Sequence, residues 1–403
     1  MARKNRVWPV IVGAALVALL GAGMRSSFGL YLRPMTGQLG WGRGVFGLAM
    51  ALQTLLMGAG TPFFGFVADR LGAGAVLAGG AVAYSLGLLW VSQAATPAGL
   101  TLSLGLLIGL AASATSMTIM VTAVGKVVTP ESRTRAMGIV TAGAGAGQVL
   151  VLPTAQFLLE AYGWSRTLMV MAGLILLFVP LSLPFFAAGN DTAEKPRGQG
   201  AGAALAEAAA HPGYRLLTAG FFVCGFHVSF LTVHLPAFIA DGGLTPALGA
   251  TALMLVGLFN IFGSFYWGQL GTRHSKKHLL SLLYTLRALV FVVFLLVPLS
   301  TWSVLIFAAT VGSLWLGTVP LTSGLVGQIF GVQYFSMLFG IVFVSHQVGG
   351  FLGAWLGGIL FDRTGSYDLM WYGSIALGLA SALVHLPIAD KAVFAEREAG
   401  EAG

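Results

Sequence analysis

Twelve apolar runs, each close to the length that crosses a bilayer, constrain this chain more than any other feature. A spanning helix needs about 20 apolar residues, and such runs recur along the 403 residues. They cover 8–32, 44–68, 74–94, 98–123, 136–159 and 167–187, and then 214–240, 247–270, 278–299, 303–328, 335–360 and 369–388. The pattern predicts an all-α integral membrane protein with twelve transmembrane helices, numbered in chain order.

The composition agrees with a chain that has lipid as its solvent. Only 8% of the residues are charged and 57% are hydrophobic, whereas a soluble domain carries about 25% charged residues. The net charge of +8 falls in short stretches between the apolar runs, so we expect no nucleic-acid partner. Cys224 is the single cysteine, which excludes a disulfide within the chain.

Lysine and arginine are distributed unevenly between the two sets of helix ends. Fifteen lie at the ends shared by the termini and the central loop, and four lie at the opposite ends: Arg33, Arg43, Arg166 and Arg363. Positive loops stay in the cytoplasm. We therefore expect a multi-pass protein of the plasma membrane with both termini cytoplasmic.

The chain repeats itself at an offset of about half its length. Gly138 and Gly147 recur as Gly340 and Gly349, 202 positions later, and 65–70 matches 268–273 in its terminal Gly and Arg. Chance matching in a chain with 57 glycines is the alternative. The repeat predicts two pseudo-symmetric six-helix bundles at 1–188 and 214–390, a cytoplasmic linker at 189–213 and a cytoplasmic tail at 391–403.

The loop after helix 2 reads Gly65-Phe-Val-Ala-Asp69-Arg70-Leu-Gly72 and resembles the cytoplasmic loop signature of the major facilitator superfamily. The basic pair that usually follows is replaced by Ala73-Gly74. The resemblance implies a secondary transporter that works by alternating access. It also implies that Gly65, Asp69, Arg70 and Gly72 form a conformational latch.

Helix 5 resembles that of monocarboxylate transporters and their bacterial relatives. It begins Arg135-Ala-Met-Gly138 and continues through Pro153 to Tyr162-Gly163-Trp164, and Met24-Arg25-Ser26 matches the cation that this family carries in helix 1. Helix 8 departs from the animal members by offering Asn260 and Ser264 in place of Asp and Arg. Helix 11 departs from the oxalate–formate branch by offering only His346. The resemblance implies a monocarboxylate substrate, such as lactate or pyruvate.

Other functions lack their signatures in this sequence. Helix 4 has no arginine and helix 5 has Gly147-Gln148 rather than Gly-Pro, so drug efflux is the alternative rather than the first choice; organic-anion exchange is another. No Gly-x-Ser-x-Gly elbow or metal-spaced cluster occurs. We expect no enzymatic activity, metal or cofactor.

Full charges inside the apolar runs are positive, because all thirteen acidic residues lie in loops, at helix ends or in the tail. Arg25 lies beyond the midpoint of helix 1 and is predicted to bind the carboxylate of a small organic anion. Snorkelling, or bonding to a neighbouring helix, is the alternative. Arg287 lies in peripheral helix 9, close enough to the cytoplasmic end to snorkel.

Three histidines are candidates for proton coupling, because their pKa is ordinarily near neutrality. They are His227, His234 and His346, and His227 is 202 positions after Arg25. Coupling by protonation of the substrate itself is the other possibility, and bonding to a backbone carbonyl is the structural alternative for each ring. The predicted substrate-binding residues are Arg25, Phe28, Gln53, Thr118, His227, His234, Asn260 and Trp315. We expect a monomer in the bilayer.

Overall fold

The structure, a computed structural model, describes residues 4–186, 201–331 and 334–390, and the regular elements in these ranges are helical. Ten described segments are long and apolar enough to span a membrane. One of them, Arg135–Phe186, has 52 residues, or about 78 Å of helix against a hydrocarbon core of about 30 Å. It is interrupted at Gly163 (φ 77°) and so carries two crossings. The shorter helix Asp368–His385 brings the described crossings to the predicted twelve.

Each half of the chain supplies six crossings. The first half contains α1 (Lys4–Leu39), α2 (Arg43–Leu71), α3 (Ala73–Val91), α4 (Pro97–Leu100, Thr101–Leu107, Ile108–Ala114 and Met117–Val127), and α5 and α6, which share Pro130–Leu176 on either side of Gly163 and end with Phe178–Phe186. The second half contains α7 (Pro212–Asp241), α8 (Pro246–Arg273), α9 (Lys276–Leu296), α10 (Thr301–Ser313 and Thr318–Phe330), α11 (Phe335–Thr364) and α12 (Asp368–His385). We call the end of the molecule where α1 begins the near end, and the opposite end the far end.

A short helix, Ala201–Ala210, lies inside the segment predicted as the linker. The rest of that segment up to residue 200 lies outside the described residues, as does the tail predicted at 391–403. Pro212 occupies the first turn of α7, and the ring of His211 accepts a hydrogen bond from the backbone N–H of Tyr214. This arrangement supplies a partner to one of the free N–H groups at a helix start.

Two of the crossings are interrupted at equivalent places. In α4 the break lies before Met117, where Ser116 is extended (ψ 153°), and in α10 it lies between Ser313 and Thr318. Ser116 and Thr318 are 202 positions apart, the offset of the repeat. The apolar runs predict continuous helices here. Hydropathy does not register such breaks, which are tolerated in membrane proteins when neighbouring groups bond the freed backbone.

Glycines bring α1 against α5, and α7 against α11, with their backbones in contact. A Cβ on Gly147 would lie 1.9 Å from the carbonyl oxygen of Leu19. One on Gly349 would lie 2.0 Å from that of Phe222. The two glycines are the pair that the repeat relates, so both halves use the same small-residue packing.

The halves meet through α1 with α7, α2 with α11, and α5 with α8. On the far side of the midplane these contacts are tight: a Cβ on Gly47 of α2 would lie 2.6 Å from the carbonyl oxygen of Ala354 in α11. Toward the near end the facing helices expose side chains, including Phe265 of α8 and Val344 of α11. The halves are therefore joined at the far end.

Candidate functional site

Arg25 lies near the middle of α1, and its side chain is exposed although Met24, Ser27 and Phe28 beside it are buried. Its Nη1 donates to the sulfur of Met57, midway along α2, over 3.6 Å. This contact holds the guanidinium at mid-depth, whereas a snorkelling arginine would reach a helix end. Its remaining N–H groups are suited to an anion that enters the molecule between the halves.

Described carboxylates lie only at the ends of helices or beyond them. They are Asp69, Glu160, Glu207, Asp241, Asp362, Asp368 and Asp390. Within the described ranges no group of three or more His, Cys, Asp or Glu could hold a metal ion. The positive charge of Arg25 therefore has no described carboxylate at its own depth in the molecule.

The other predicted binding residues of the first half differ in exposure. Thr118, just after the break in α4, is exposed, whereas Phe28 and Gln53 are buried. The Nε2 of Gln53 has no hydrogen-bond partner among the described residues. On the other side of the break, the hydroxyl of Ser113 donates to the carbonyl oxygen of Met57 over 3.0 Å. The break in α4 is thus tied to the residue that contacts Arg25.

In the second half, two predicted binding residues belong to the break in α10. The Oδ1 of Asn260 accepts from the backbone N–H of Leu316 (3.0 Å), and Trp315 is 4% exposed. Arg287 is fully buried and donates from Nη2 to the carbonyl oxygens of Leu314 (2.5 Å) and Trp315 (2.6 Å). The snorkelling interpretation of Arg287 is therefore wrong: its guanidinium binds the freed backbone of a neighbouring helix.

His227 and His234 are enclosed in the second half, with no exposed surface. The Nε2 of His227 lies 2.8 Å from the carbonyl oxygen of Ser374, and that of His234 lies 2.8 Å from the carbonyl oxygen of Ala354. A carbonyl oxygen only accepts, so Nε2 carries the hydrogen in both rings. Both residues thus have the backbone bond that the sequence leaves open as the structural alternative.

His346 is the third predicted proton carrier, and it connects to the other half. The Nε2 of Gln347 donates to the carbonyl oxygen of Thr54 in α2 over 2.8 Å. Its Oε1 therefore faces the Nδ1 of His346, 3.0 Å away, and that nitrogen must carry a hydrogen. The Nε2 of His346 is left as the position for a second proton.

Three charged side chains close the far end between the halves. Asp241, the last residue of α7, accepts from both terminal nitrogens of Arg43, with 2.9 Å to Nη2. It also lies 3.0 Å from the Nε of Arg33. The guanidinium of Arg43 stacks 3.6 Å above the ring of Phe361. We call Arg33, Arg43 and Asp241 the far-end gate, because charge-assisted bonds of this kind join the two halves directly.

The gate continues inward through Tyr367. Its hydroxyl accepts from the Nη1 of Arg43 (2.9 Å) and donates to the Nδ1 of His234 (3.2 Å). Beside it, the carboxylate of Asp362 accepts from the backbone N–H groups of Arg43 and Gly44, both at 2.7 Å. A carboxylate from one half thereby caps the first turn of a helix in the other.

Sequence reasoning counts the gate residues only as loop charges. The signal that it overlooks is their placement, with two arginines of one bundle and an aspartate of the other at the same end. A fold that joins the bundles at this end brings such residues together.

The predicted latch lies at the near end, where Asp69 is exposed and the guanidinium of Arg70 lies 4.3 Å above the ring of Phe66. Gly65 is half-buried, and Gly72 joins α2 to α3 with φ 88°.

Comparison with known proteins matches the chain to the Major Facilitator Superfamily over residues 14–316 and again over 219–402. It is 26% identical to monocarboxylate transporter 13 of Rattus norvegicus over 94% of this chain and 89% of that protein. It is also 26% identical to the MFS-type transporter YcxA of Bacillus subtilis, over 95% and 96%. These relatives span nearly the whole chain.

Solved structures share the fold at lower identity. A D-xylose-proton symporter superposes with a TM-score of 0.73 at 14% identity, over 96% of this chain and all of that one. A bacterial homologue of the lysosomal transporter Spinster, in an inward-facing and unoccupied conformation, gives 0.70 at 15% identity, over 96% of each chain. With its twelve crossings and its repeated halves, the chain belongs to the major facilitator superfamily and is a membrane transporter.

Proposed function

We propose that this transporter carries a small organic anion, most simply a monocarboxylate such as lactate or pyruvate, by alternating access. The observation that supports this is the exposed guanidinium of Arg25 at mid-depth in the molecule. A carboxylate pairs with a guanidinium through two parallel hydrogen bonds. The absence of a described carboxylate at that depth leaves the charge of Arg25 for the substrate.

The surroundings of Arg25 suit a solute with a small apolar part. Its guanidinium contacts the thioether of Met57, and Phe28 packs one turn further along α1. The relatives named monocarboxylate transporters support the same class of substrate. Because the near end carries the excess of lysine and arginine, we place it in the cytoplasm, with the protein in the plasma membrane.

We further propose that transport is coupled to protons through His346. Of the three candidate rings, it alone is not fully buried, at 8% exposed. The thiol of Cys224 is the ionisable group that faces it from α7. Because Gln347 connects His346 to α2, a proton on this ring would act on a contact that must change when the halves move.

The test is uptake of labelled lactate and pyruvate into proteoliposomes with an inward proton gradient. We expect gradient-stimulated uptake by the wild type. Loss of the charged hydrogen bonds at Arg25, worth about 1.5–3 kcal/mol, lowers the uptake of Arg25→Gln by about 10-fold or more. Arg166→Gln, at an exposed arginine, is the matched control and should transport normally.

Two other outcomes would replace the proposal. Uptake that needs a carboxylic acid inside the vesicle and ignores the proton gradient would identify an organic-anion exchanger. Transport of neutral aromatic compounds that does not depend on Arg25 would identify drug-like efflux. Well-folded protein that transports neither lactate nor pyruvate removes the monocarboxylate assignment.

A further inference from the structure

A cavity, which we call the far cavity, lies at the far end, lined by the three gate residues and away from Arg25. It has a volume of about 510 Å³ and is lined by residues of α1, α2, α5, α7 and α8, among them Arg33, Arg43, Gln156, Pro236 and Asp241. Ligand sites for small molecules begin at about 300 Å³. The volume is therefore sufficient for a small organic acid with its water.

Tight packing lies between the far cavity and Arg25. Between them, Gly29 of α1 lies against the backbone of α7, and a Cβ on Gly29 would be 2.1 Å from the carbonyl oxygen of Thr232. A solute in the far cavity therefore cannot reach Arg25 until the halves move. The far cavity is therefore separate from Arg25 in this conformation.

The charges that line the far cavity do not balance. Arg33 and Arg43 contribute two positive charges, and Asp241 is the one acidic residue in the lining. Arg43 has its two terminal nitrogens on Asp241, a hydroxyl of Tyr367 and a stacked ring. Arg33 contacts Asp241 through Nε, and its side chain is 48% exposed. A guanidinium has five N–H donors, so Arg33 has capacity for another anion.

We propose that the far cavity binds the carboxylate of a small organic anion at Arg33, and that this carboxylate competes with Asp241 for the two arginines. The class of ligand rests on the proposed function. The competition follows from the chemistry, since the carboxylate of Asp241 and that of an organic acid form the same bonds with a guanidinium. Binding would weaken the gate and favour opening of the far end, so that capture of the solute promotes its own entry.

Labelling of a cysteine in the cavity measures binding without requiring transport. Gly37 lines the cavity, and a Cβ there meets nothing within 4 Å, so Gly37→Cys fits in a Cys224→Ser background. A neutral, water-soluble maleimide is the reagent, and lactate, pyruvate and chloride are the probes. Thr301→Cys, exposed at the same end but outside the cavity lining, is the matched control.

We expect lactate and pyruvate to slow the labelling of Gly37→Cys severalfold and to leave Thr301→Cys unchanged. Protection should disappear with Arg33→Gln and persist with both Arg33→Lys and Arg25→Gln. The proposal would be overturned if lactate and pyruvate gave no protection of Gly37→Cys, if that protection survived Arg33→Gln, or if it were lost in Arg25→Gln. Equal protection by chloride would assign the site to inorganic anions and overturn the organic-acid assignment. Failure of lactate uptake, measured separately, would remove the proposed function without altering this readout.

Discussion

Arg287 occupies in the second half the place that Tyr84 occupies in the first. The two residues are 203 positions apart on α9 and α3, and both are buried. Arg287 binds the interrupted backbone of α10, whereas the hydroxyl of Tyr84 has no partner among the described residues. The first half instead carries its interior cation on α1, as Arg25. The two halves therefore differ in where their interior cation lies and in what it contacts. In the second half Arg287 binds the backbone of a neighbouring helix, whereas in the first half Arg25 is exposed.

Removing the guanidinium of Arg287 should destabilise the fold. In Arg287→Leu the carbonyl oxygens of Leu314 and Trp315 lose their partner, which costs about 2–5 kcal/mol for the two groups. We expect a clearly lower melting temperature in detergent. Tyr84→Phe, at the equivalent place, removes an unpaired hydroxyl and should change stability by no more than about 0.5 kcal/mol. Equal melting temperatures for Arg287→Leu and the wild type would contradict this account of α10.

The paired glycines allow a comparison between matched positions. Gly147→Ala and Gly349→Ala introduce a methyl where the neighbouring carbonyl oxygen is 1.9 Å or 2.0 Å away, so we expect loss of folded protein. Gly138→Ala and Gly340→Ala meet nothing within 4 Å and should be stable, since alanine is better than glycine in a helix by about 1 kcal/mol. Size-exclusion chromatography and melting temperature measure both. Normal folding of the first pair would refute the close packing.

The far-end gate should control how often that end opens. Asp241→Asn removes the charge that holds Arg33 and Arg43, and a loss of about 1 kcal/mol changes the ratio of states about fivefold. Spin labels on Gly37→Cys and Thr245→Cys, in a Cys224→Ser background, should show more of the longer distances. Asp368→Asn removes an exposed acid at the same end and serves as control. An unchanged distance distribution for Asp241→Asn would contradict the role of the far-end gate in controlling this opening.

If His346 carries the coupled proton, its substitution should remove proton coupling and leave transport itself intact. His346→Gln keeps a side chain that can bond to Gln347 but cannot take up a proton near neutral pH. We expect uptake without a gradient to persist and stimulation by an inward proton gradient to disappear. His278→Gln, at an exposed residue of the near end, should retain stimulation. If His346→Gln is stimulated as the wild type is, the proton must travel with the substrate or by another group.

The sequence is sufficient for the architecture, because apolar run length, loop charge and repeated glycines can be recognised without knowing which helices meet. It predicts twelve crossings and related halves, and the structure has both. It does not predict the breaks in α4 and α10, since residues such as Ser116 and Leu316 are ordinary in an apolar run. Their backbone groups find partners, such as Asn260 and Arg287, only after the helices pack. The sequence does not predict the gate for the same reason: Arg43 and Asp241 are 198 positions apart and meet only through the fold.

The glycine contacts of α1 with α5 and of α7 with α11 also indicate which helix separations stay fixed during transport. Backbones that touch with no side chain between them have no intermediate layer that could repack while one helix slides along the other. The separations within each of these pairs should therefore be constants of the cycle. A distance measured from α1 to α5 is then an internal standard, and any change observed between α1 and α7 can be assigned entirely to the movement of one half against the other.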